Sequence, residues 1–130
     1  MRTAIIILNY NSRKDTMKYV SEIKDYKVLN TIVVVDNHSS NQGEWEALES
    51  LKSDKVYVIE SDKNGGYSYG NNLGLKFLET LEQAYDYVVI SNPDVEVSEK
   101  AFEACFQELE QNENVAVCSP IMLNRRRSSY

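Results

Sequence analysis

Short apolar runs alternate with amphipathic segments along the whole chain. Runs of this length, rich in β-branched residues and apolar at successive positions, predict strands that are buried on both faces. The runs are Ala4–Leu8, Thr31–Val35, Val56–Ile59, Tyr85–Ile90 and the shorter Val115–Val117. The pattern therefore predicts four strands and a fifth, shorter one near the end of the chain.

The segments between the runs carry apolar residues three or four positions apart, which is the spacing of one helix face. Ser12, followed by Asp15 three residues later, predicts a capping box at the start of the first helix. Four helices are predicted around Met17, Val20 and Ile23; around Trp45, Leu48 and Leu51; around Leu73, Phe77, Leu78 and Leu81; and around Phe102, Cys105, Phe106 and Leu109.

Strands and helices that alternate in this way predict a three-layer α/β/α sandwich with a mainly parallel sheet. Right-handed crossovers then limit how the strands can be wound. We expect one subdomain over residues 1–123, with residues 124–130 as a tail or as the start of a further part. The basic cluster Arg125–Arg127 favours a solvated tail over a phosphate or membrane site.

Composition narrows the class of protein. The chain is acidic, with a formal net charge of -6, so we expect no nucleic-acid partner. Cys105 and Cys118 lack metal-site or redox spacing and suggest buried thiols in a reducing compartment. Residues 1–8 do not resemble a signal peptide, and no apolar run approaches the ~20 residues of a membrane span. We expect a cytoplasmic protein.

Polar residues cluster directly after each of the first four predicted strands. In an open parallel sheet, ligands bind outside the carboxyl ends of the strands. The clusters are Asn9–Asn11, Asp36–Ser40, Asp62–Gly66 and Ser91–Asp94. Asn, Asp, Ser and Gly are also common turn formers, but four such loops at one edge favour a ligand site.

Two common nucleotide fingerprints are missing. No G-x-G-x-x-G follows the first strand, which argues against a dehydrogenase, and no Gly-Lys-Ser/Thr marks a P-loop. Gly65 and Gly66 precede the third helix, where glycine lets the backbone approach a ligand and free amides favour an anion. His38 lies in a turn, and its tolerance of the left-handed conformation explains it better than a catalytic role does.

These four loops also carry a family resemblance. The strings Asn-Tyr-Asn, Val-Val-Val-Asp-Asn-His-Ser-Ser, Asn-Gly-Gly-Tyr-Ser-Tyr-Gly-Asn-Asn-Leu-Gly and Ser-Asn-Pro-Asp-Val resemble the family 2 glycosyltransferases, especially the rhamnosyltransferase-type branch. The resemblance covers residues 3–123, and the order of four motifs makes it specific. It implies a Rossmann-like GT-A fold and a nucleotide-diphosphate sugar as donor.

The resemblance implies roles for individual residues. Asp36 faces the base, where a carboxylate can accept the N3 proton of uracil or thymine, and Asp94 holds Mg²⁺ or Mn²⁺ on the diphosphate. Asn92 departs from the first Asp of the usual Asp-x-Asp motif and is assigned to ribose or water. The implied nucleotide-binding residues are Asn9, Tyr10, Asn11, Asp36, Asn37, Asn64, Gly65, Asn72 and Asn92.

The family inverts the anomeric centre with a carboxylate base that lies well downstream of the Asn-Pro-Asp position. We therefore expect the base beyond residue 130, a truncated catalytic unit and no transfer by this chain alone. A dTDP- or UDP-linked donor, a glycan or lipid-linked acceptor, polysaccharide biosynthesis and peripheral association with the inner membrane face are implied. The alternative is a non-catalytic α/β nucleotide-binding or regulatory module.

Overall fold

The computed structural model describes residues 1–121 and residue 123. Its four strands are β1 (Thr3–Asn9), β2 (Thr31–Asp36), β3 (Val56–Glu60) and β4 (Tyr87–Ser91), and its helices are α1 (Arg13–Ile23), α2 (Glu44–Glu49), α3 (Tyr67–Thr80) and α4 (Glu99–Gln111). The predicted alternation of strand and helix is confirmed. The chain divides into two compact units, residues 1–96 and 97–130, and the sheet lies in the first.

The sheet is parallel throughout, with strand order β3-β2-β1-β4. The chain first moves outward from β1 to β2 to β3, and then crosses back through α3 to the other side of β1. This reversal makes a topological switch point between β1 and β4, where open α/β sheets bind ligands. It is the feature of the fold that positions the candidate site.

One face of the sheet packs against α3. Ala4 and Ile6 of β1 and Val33 and Val35 of β2 form a buried cluster with Leu78 of α3. The helix comes close because it presents glycines: a Cβ at Gly70 would collide with the side chain of Leu8, and one at Gly74 would lie 2.7 Å from Ile6 Cγ2.

The other face is equally well covered. Ile5 and Ile7 alternate with the residues that face α3 and, with Ile32 and Val34 of β2, are fully buried. Helices α1 and α2 contact each other and the neighbouring strands on this side. The first unit is thus the predicted three-layer sandwich, with α3 on one face and α1 and α2 on the other.

Strand β4 lies at one edge of the sheet and differs from the prediction. It begins at Tyr87 rather than Tyr85, and Ile90 is 41% exposed. The hydroxyl group of Tyr85 forms a hydrogen bond of 2.7 Å with Thr31 Oγ1. The apolar run correctly indicates a strand, but β4 pairs only with β1, so its residues are less covered than those of the central strands.

The start of α1 is stabilised differently from the prediction. Ser12 occupies the N-cap position, but its hydroxyl group donates to Tyr10 O and caps no helix amide, so the predicted capping box is wrong. Instead, Glu44 Oε1 accepts from the backbone N–H of Arg13 at 2.7 Å. A carboxylate at a helix N-terminus also interacts favourably with the helix dipole.

The second unit contains α4, whose Ser98 Oγ accepts from Ala101 N at the N-terminus. Residues 115–117 form no strand, and Val117 is 85% exposed. The predicted fifth strand is wrong, because a short apolar run becomes a strand only when a neighbour pairs with its backbone groups. The tail 124–130, with Arg125–Arg127, lies outside the described residues.

The two cysteines of the chain lie in the second unit. Cys105 and Cys118 are free and half-buried rather than buried in a core. Burial and the neighbouring Cys118 thiol raise the pKa of Cys105 to about 11.

No helix in the described part of the chain has the length and apolar character needed to cross a bilayer.

Candidate functional site at the carboxyl edge of the sheet

The four polar loops meet at one edge of the first unit. Because the strands are parallel and in register, Asn9 pairs with Asp36 and Ile7 pairs with Ser91. Asp36 ends β2 and Asp94 follows β4, and these strands flank β1. At a spacing of roughly 4.8 Å between neighbouring strands, the two strand ends lie about 10 Å apart across the sheet.

Asp36 uses one of its two carboxylate oxygens for hydrogen bonds within the protein. The residue is 1% exposed, and Oδ1 accepts from Ser39 Oγ at 2.5 Å and from Asn9 Nδ2 at 3.3 Å. Oδ2 makes no hydrogen bond within the described part of the chain, so it is the oxygen of Asp36 that has acceptor capacity left for a ligand.

The side chains of Asn9 and Asn11 form hydrogen bonds with other residues of the protein. Asn9 is fully buried, with Nδ2 and Oδ1 both hydrogen-bonded. Asn11, whose φ is 51°, accepts at Oδ1 from the backbone N–H groups of Ser40 and Asn41, both at 2.9 Å. Both residues fasten the loop after β1 to the loop after β2, and only Tyr10 between them is exposed.

Asn37 joins the loop after β2 to the start of α3. Its Nδ2 donates to Asn64 Oδ1 at 3.0 Å and to Gly66 O at 3.3 Å, while its Oδ1 is buried and finds no partner in the part of the chain that the structure describes. Asn64 Oδ1 also accepts from the backbone N–H of Gly66. The predicted residues Asn37 and Asn64 are thus brought together, and Gly65, which lies between Asn64 and Gly66, is exposed.

Helix α3 begins with free backbone amides next to these loops. Gly66 occupies the N-cap position at φ 93°, which favours glycine, and no side chain caps the helix. Such an N-terminus can bind an anion. Asn72 is exposed in the second turn, whereas Asn71 is buried and its side-chain polar atoms have no partner among the described residues.

The Asn-Pro-Asp motif follows the end of β4. Asn92 and Asp94 are both exposed, and Ser91 Oγ is held by Tyr19 OH of α1 at 2.9 Å. Burial raises the pKa of Tyr19, and the hydrogen bond to Ser91 partly opposes this shift. Within the described residues, no three His, Cys, Asp or Glu side chains form a group that could hold a metal ion.

The loop after β3 forms the remaining rim of the site. His38 adopts φ 60°, as predicted for a turn residue, and its Nδ1 lies 3.3 Å from Ser61 O. Tyr69 OH donates to Asp62 at 2.5 Å, and this bond is the main reason that the pKa of Tyr69 is raised. Lys63 Nζ lies 5.0 Å from the centre of the same ring.

Sequence reasoning missed three residues that support the site. Glu44 and Thr16 are buried and bond to Asn9, and Ser39 bonds to both Asp36 and the backbone N–H of Asn11. Ser39 lies in one of the four polar loops, so its position in the sequence could have identified it. Glu44 and Thr16 lie in helices, where the sequence gives no such indication, because a polar residue in an amphipathic helix normally faces solvent.

The fold and the loop positions define an α/β protein with a candidate ligand site at the switch point of a parallel sheet. Residues 4–128 match the sequence profile of Glycosyl transferase family 2. The chain belongs to this family, which confirms the resemblance seen in the sequence.

Two curated proteins show the same relationship. The chain is 34% identical over 123 residues to the low-salt glycan biosynthesis hexosyltransferase Agl10 of Haloferax volcanii, covering 94% of this chain and 37% of that protein. It is 24% identical over 129 residues to the dTDP-rhamnosyl transferase RfbF of Shigella flexneri, covering 96% of this chain and 40% of that protein. The chain therefore spans about two fifths of the length of these relatives.

Solved structures show the same fold. The mannosyltransferase PcManGT from Pyrobaculum calidifontis, in complex with GDP-Man and Mn²⁺, has a TM-score of 0.70 at 19% identity, covering 83% of this chain and 32% of that one. TarS from S. aureus has a TM-score of 0.65 at 17% identity, covering 96% of this chain and 40% of that one. The predicted GT-A fold is confirmed.

Proposed function

We propose that this chain forms the donor-binding part of an inverting, metal-dependent glycosyltransferase that uses a nucleotide-diphosphate sugar. The observation that carries the proposal is the placement of two carboxylates at the carboxyl ends of the two strands that flank β1. Asp36 ends β2 and has one oxygen without a hydrogen bond among the described residues, and Asp94 follows β4 and is exposed. The first suits a base and the second suits a cation on the diphosphate.

Base recognition follows from the hydrogen-bonding capacity of Asp36. Its free Oδ2 is an acceptor, so it favours a base that presents a ring N–H. Uracil and thymine present N3–H, whereas cytosine presents a bare nitrogen there. We favour a dTDP- or UDP-linked donor, in line with the dTDP-rhamnosyl relative. Guanine also presents a ring N–H, and the GDP-Man complex of the structural neighbour makes GDP the second candidate.

The diphosphate needs local compensation because the chain itself is acidic. The uncapped N-terminus of α3 offers backbone amides, and Asp94 would hold Mg²⁺ or Mn²⁺. A single carboxylate fits Mg²⁺, which commonly binds through one or two carboxylates together with substrate phosphates and water. The bound cation supplies charge neutralisation for the leaving diphosphate. Asn37, Asn64, Asn72 and Asn92 are proposed to contact the ribose or the diphosphate, as the family resemblance implies.

We further propose that the catalytic base is not among the residues of this edge. Asp36 is engaged by Asn9 and Ser39, and Asp94 is assigned to the cation. The acceptor hydroxyl, on a glycan or a lipid-linked glycan at the cytoplasmic face of the membrane, is then activated by a carboxylate from outside the 130 residues. Purified 130-residue chain is expected to bind donor without transferring labelled sugar, and transfer by it would contradict this.

Calorimetry tests the proposal directly. UDP, dTDP, GDP and CDP are titrated into the chain with and without Mn²⁺, and metal-dependent binding of a diphosphate with a ring N–H is expected. Asp94→Asn should remove the metal dependence, whereas Asp54→Asn, an exposed carboxylate next to the opposite edge of the sheet, should not. If none of the four nucleotides binds, the non-catalytic regulatory module is the better interpretation.

A further inference from the structure

We infer that Glu44 is a positioning residue for base selection, acting through Asn9 on Asp36. The inference deepens the proposed function and rests on it. Glu44 belongs to α2, is 2% exposed and lies outside the four loops that carry the family resemblance. Its carboxylate is thus placed where it cannot meet a ligand, yet it is one bond away from a residue that holds Asp36.

The three side chains form a continuous buried chain of hydrogen bonds. Asn9 Nδ2 donates to Glu44 Oε1 at 3.1 Å and to Asp36 Oδ1 at 3.3 Å. Asn9 Oδ1 accepts from Thr16 Oγ1 at 2.7 Å. The amide nitrogen therefore bridges two buried carboxylates, and a third acceptor, Ser39 Oγ, lies farther away at 3.4 Å.

The orientation of the Asn9 amide is fixed because a carboxylate only accepts hydrogen bonds, whereas an amide has a donor nitrogen and an acceptor oxygen. A flipped Asn9 would turn Oδ1 towards Glu44 and Asp36, so that acceptors would face acceptors. Thr16 cannot set the direction, since its hydroxyl group can donate or accept. Glu44 is itself held in place, because Oε1 accepts from Arg13 N at 2.7 Å and Oε2 lies 3.8 Å from Arg13 Nε.

This direction has a consequence for Asp36. Glu44 takes one hydrogen of Asn9 Nδ2, so the amide holds only Oδ1 of Asp36, and Oδ2 remains available as an acceptor. Without an acceptor at position 44, the amide can pivot towards Oδ2 or turn over. Either movement weakens the preference of Asp36 for a base with a ring N–H over cytosine.

The test is the ratio of UDP to CDP affinity, measured by calorimetry in the presence of Mn²⁺. For the unmodified chain we expect a ratio of about tenfold or more, the size of one hydrogen bond to a charged group. Glu44→Leu, similar in size but without an acceptor, should bring the ratio to within about threefold of unity, chiefly by weakening UDP. Glu44→Gln keeps an acceptor oxygen and should restore the ratio.

Two matched variants separate positioning from stability. Thr16→Val removes the buried hydrogen bond on the other side of Asn9 and should lower the unfolding midpoint without changing the ratio. Arg13→Ala removes only the exposed side-chain partner of Glu44 and keeps the backbone N–H that bonds to Oε1, so it should also leave the ratio unchanged. If Thr16→Val lowers the ratio as much as Glu44→Leu does, Glu44 has only a structural role and the inference is wrong.

A second variant covers the case in which Glu44→Leu fails to fold. Glu44→Asp keeps the charge but withdraws the carboxylate from Asn9 by one methylene, and it should lower the ratio in part. An unchanged ratio in either folded variant overturns the inference. Failure of the proposed function looks different, since the unmodified chain would then bind neither nucleotide, or Asp36→Asn would leave the ratio as it was.

Discussion

The two ends of the candidate site are built in opposite ways. At the β1–β2 end, Asn9, Asp36 and Glu44 are buried and joined by hydrogen bonds. At the β4 end, Asn92 and Asp94 are exposed. Buried side chains that bond to one another hold each other in one arrangement, whereas an exposed carboxylate can adapt to the geometry of its ligand. Under the proposed function, the end that meets the base is preformed, and the end that meets the cation would be completed by the donor.

The largest expected effect concerns the stability of the preformed end. Asn9→Ala removes a buried amide that bonds to Asp36, Glu44 and Thr16. Asp36 keeps its bond from Ser39 and Glu44 keeps its bond from Arg13 N, whereas Thr16 Oγ1 keeps no partner among the described residues. A lost bond to a charged group costs about 1.5–3 kcal/mol and an unsatisfied buried group about 1–3 kcal/mol, so we expect a destabilisation of about 2–4 kcal/mol. The free energy of unfolding from urea titrations measures it.

Asn92→Ala is the matched control at the open end. It removes the same amide from an exposed position, and a surface substitution of this kind usually changes stability by less than about 0.5 kcal/mol. Equal losses for Asn9→Ala and Asn92→Ala would remove the contrast between the two ends.

The second effect belongs to the open end and appears in binding rather than in folding. Asp94→Asn should weaken Mn²⁺-dependent binding of UDP by about tenfold or more, because the cation loses its charged ligand. Stability should stay within about 0.5 kcal/mol, since the side chain is exposed. A large loss of stability with unchanged nucleotide affinity would show that Asp94 is a structural residue.

Local patterns predict where the polar loops lie better than how their side chains are held. Asn92 and Asp94 follow β4, as local turn chemistry and the family motifs indicate, and their roles stay predictions. The burial of Asn9 was not predictable, because its partners Thr16 and Glu44 lie 7 and 35 residues away on two helices. Long-range polar pairing leaves no periodic trace in a sequence.

The same distinction explains the errors in the fold. The capping box at Ser12 is a local pattern, but Glu44 from another helix competes for the first amide of α1 and takes its place. The strand at residues 115–117 is also a local pattern, and backbone pairing decides whether it forms. By contrast, the left-handed turn at His38 depends on its own backbone and was predicted correctly.

A third, smaller effect tests how the loop after β4 is anchored. Tyr19→Phe removes the hydroxyl group that meets Ser91 Oγ at 2.9 Å. One partly buried hydrogen bond contributes about 0.5–1.5 kcal/mol, so the free energy of unfolding should fall by about 1 kcal/mol. Metal-dependent nucleotide affinity should fall slightly with it, because Ser91 directly precedes the Asn-Pro-Asp motif. Tyr85→Phe removes the bond to Thr31 Oγ1 at the amino ends of the strands, away from the candidate site. It should cost similar stability without changing affinity.

The smallest effect concerns the ion pair that links α1 to the same loop. Lys18 Nζ lies 2.9 Å from Glu96 Oε1, and both side chains are well exposed. Exposed pairs contribute about 0–1 kcal/mol and are screened by salt, so Lys18→Ala should change stability by about 0.5 kcal/mol or less. Urea titrations at low and high ionic strength measure this difference, and it should shrink as salt is added. A loss that rivals that of Asn9→Ala would mean that the β4 end is held as firmly as the β1–β2 end. The loop around Asp94 would then be preformed as well, and the donor would have nothing left to order there.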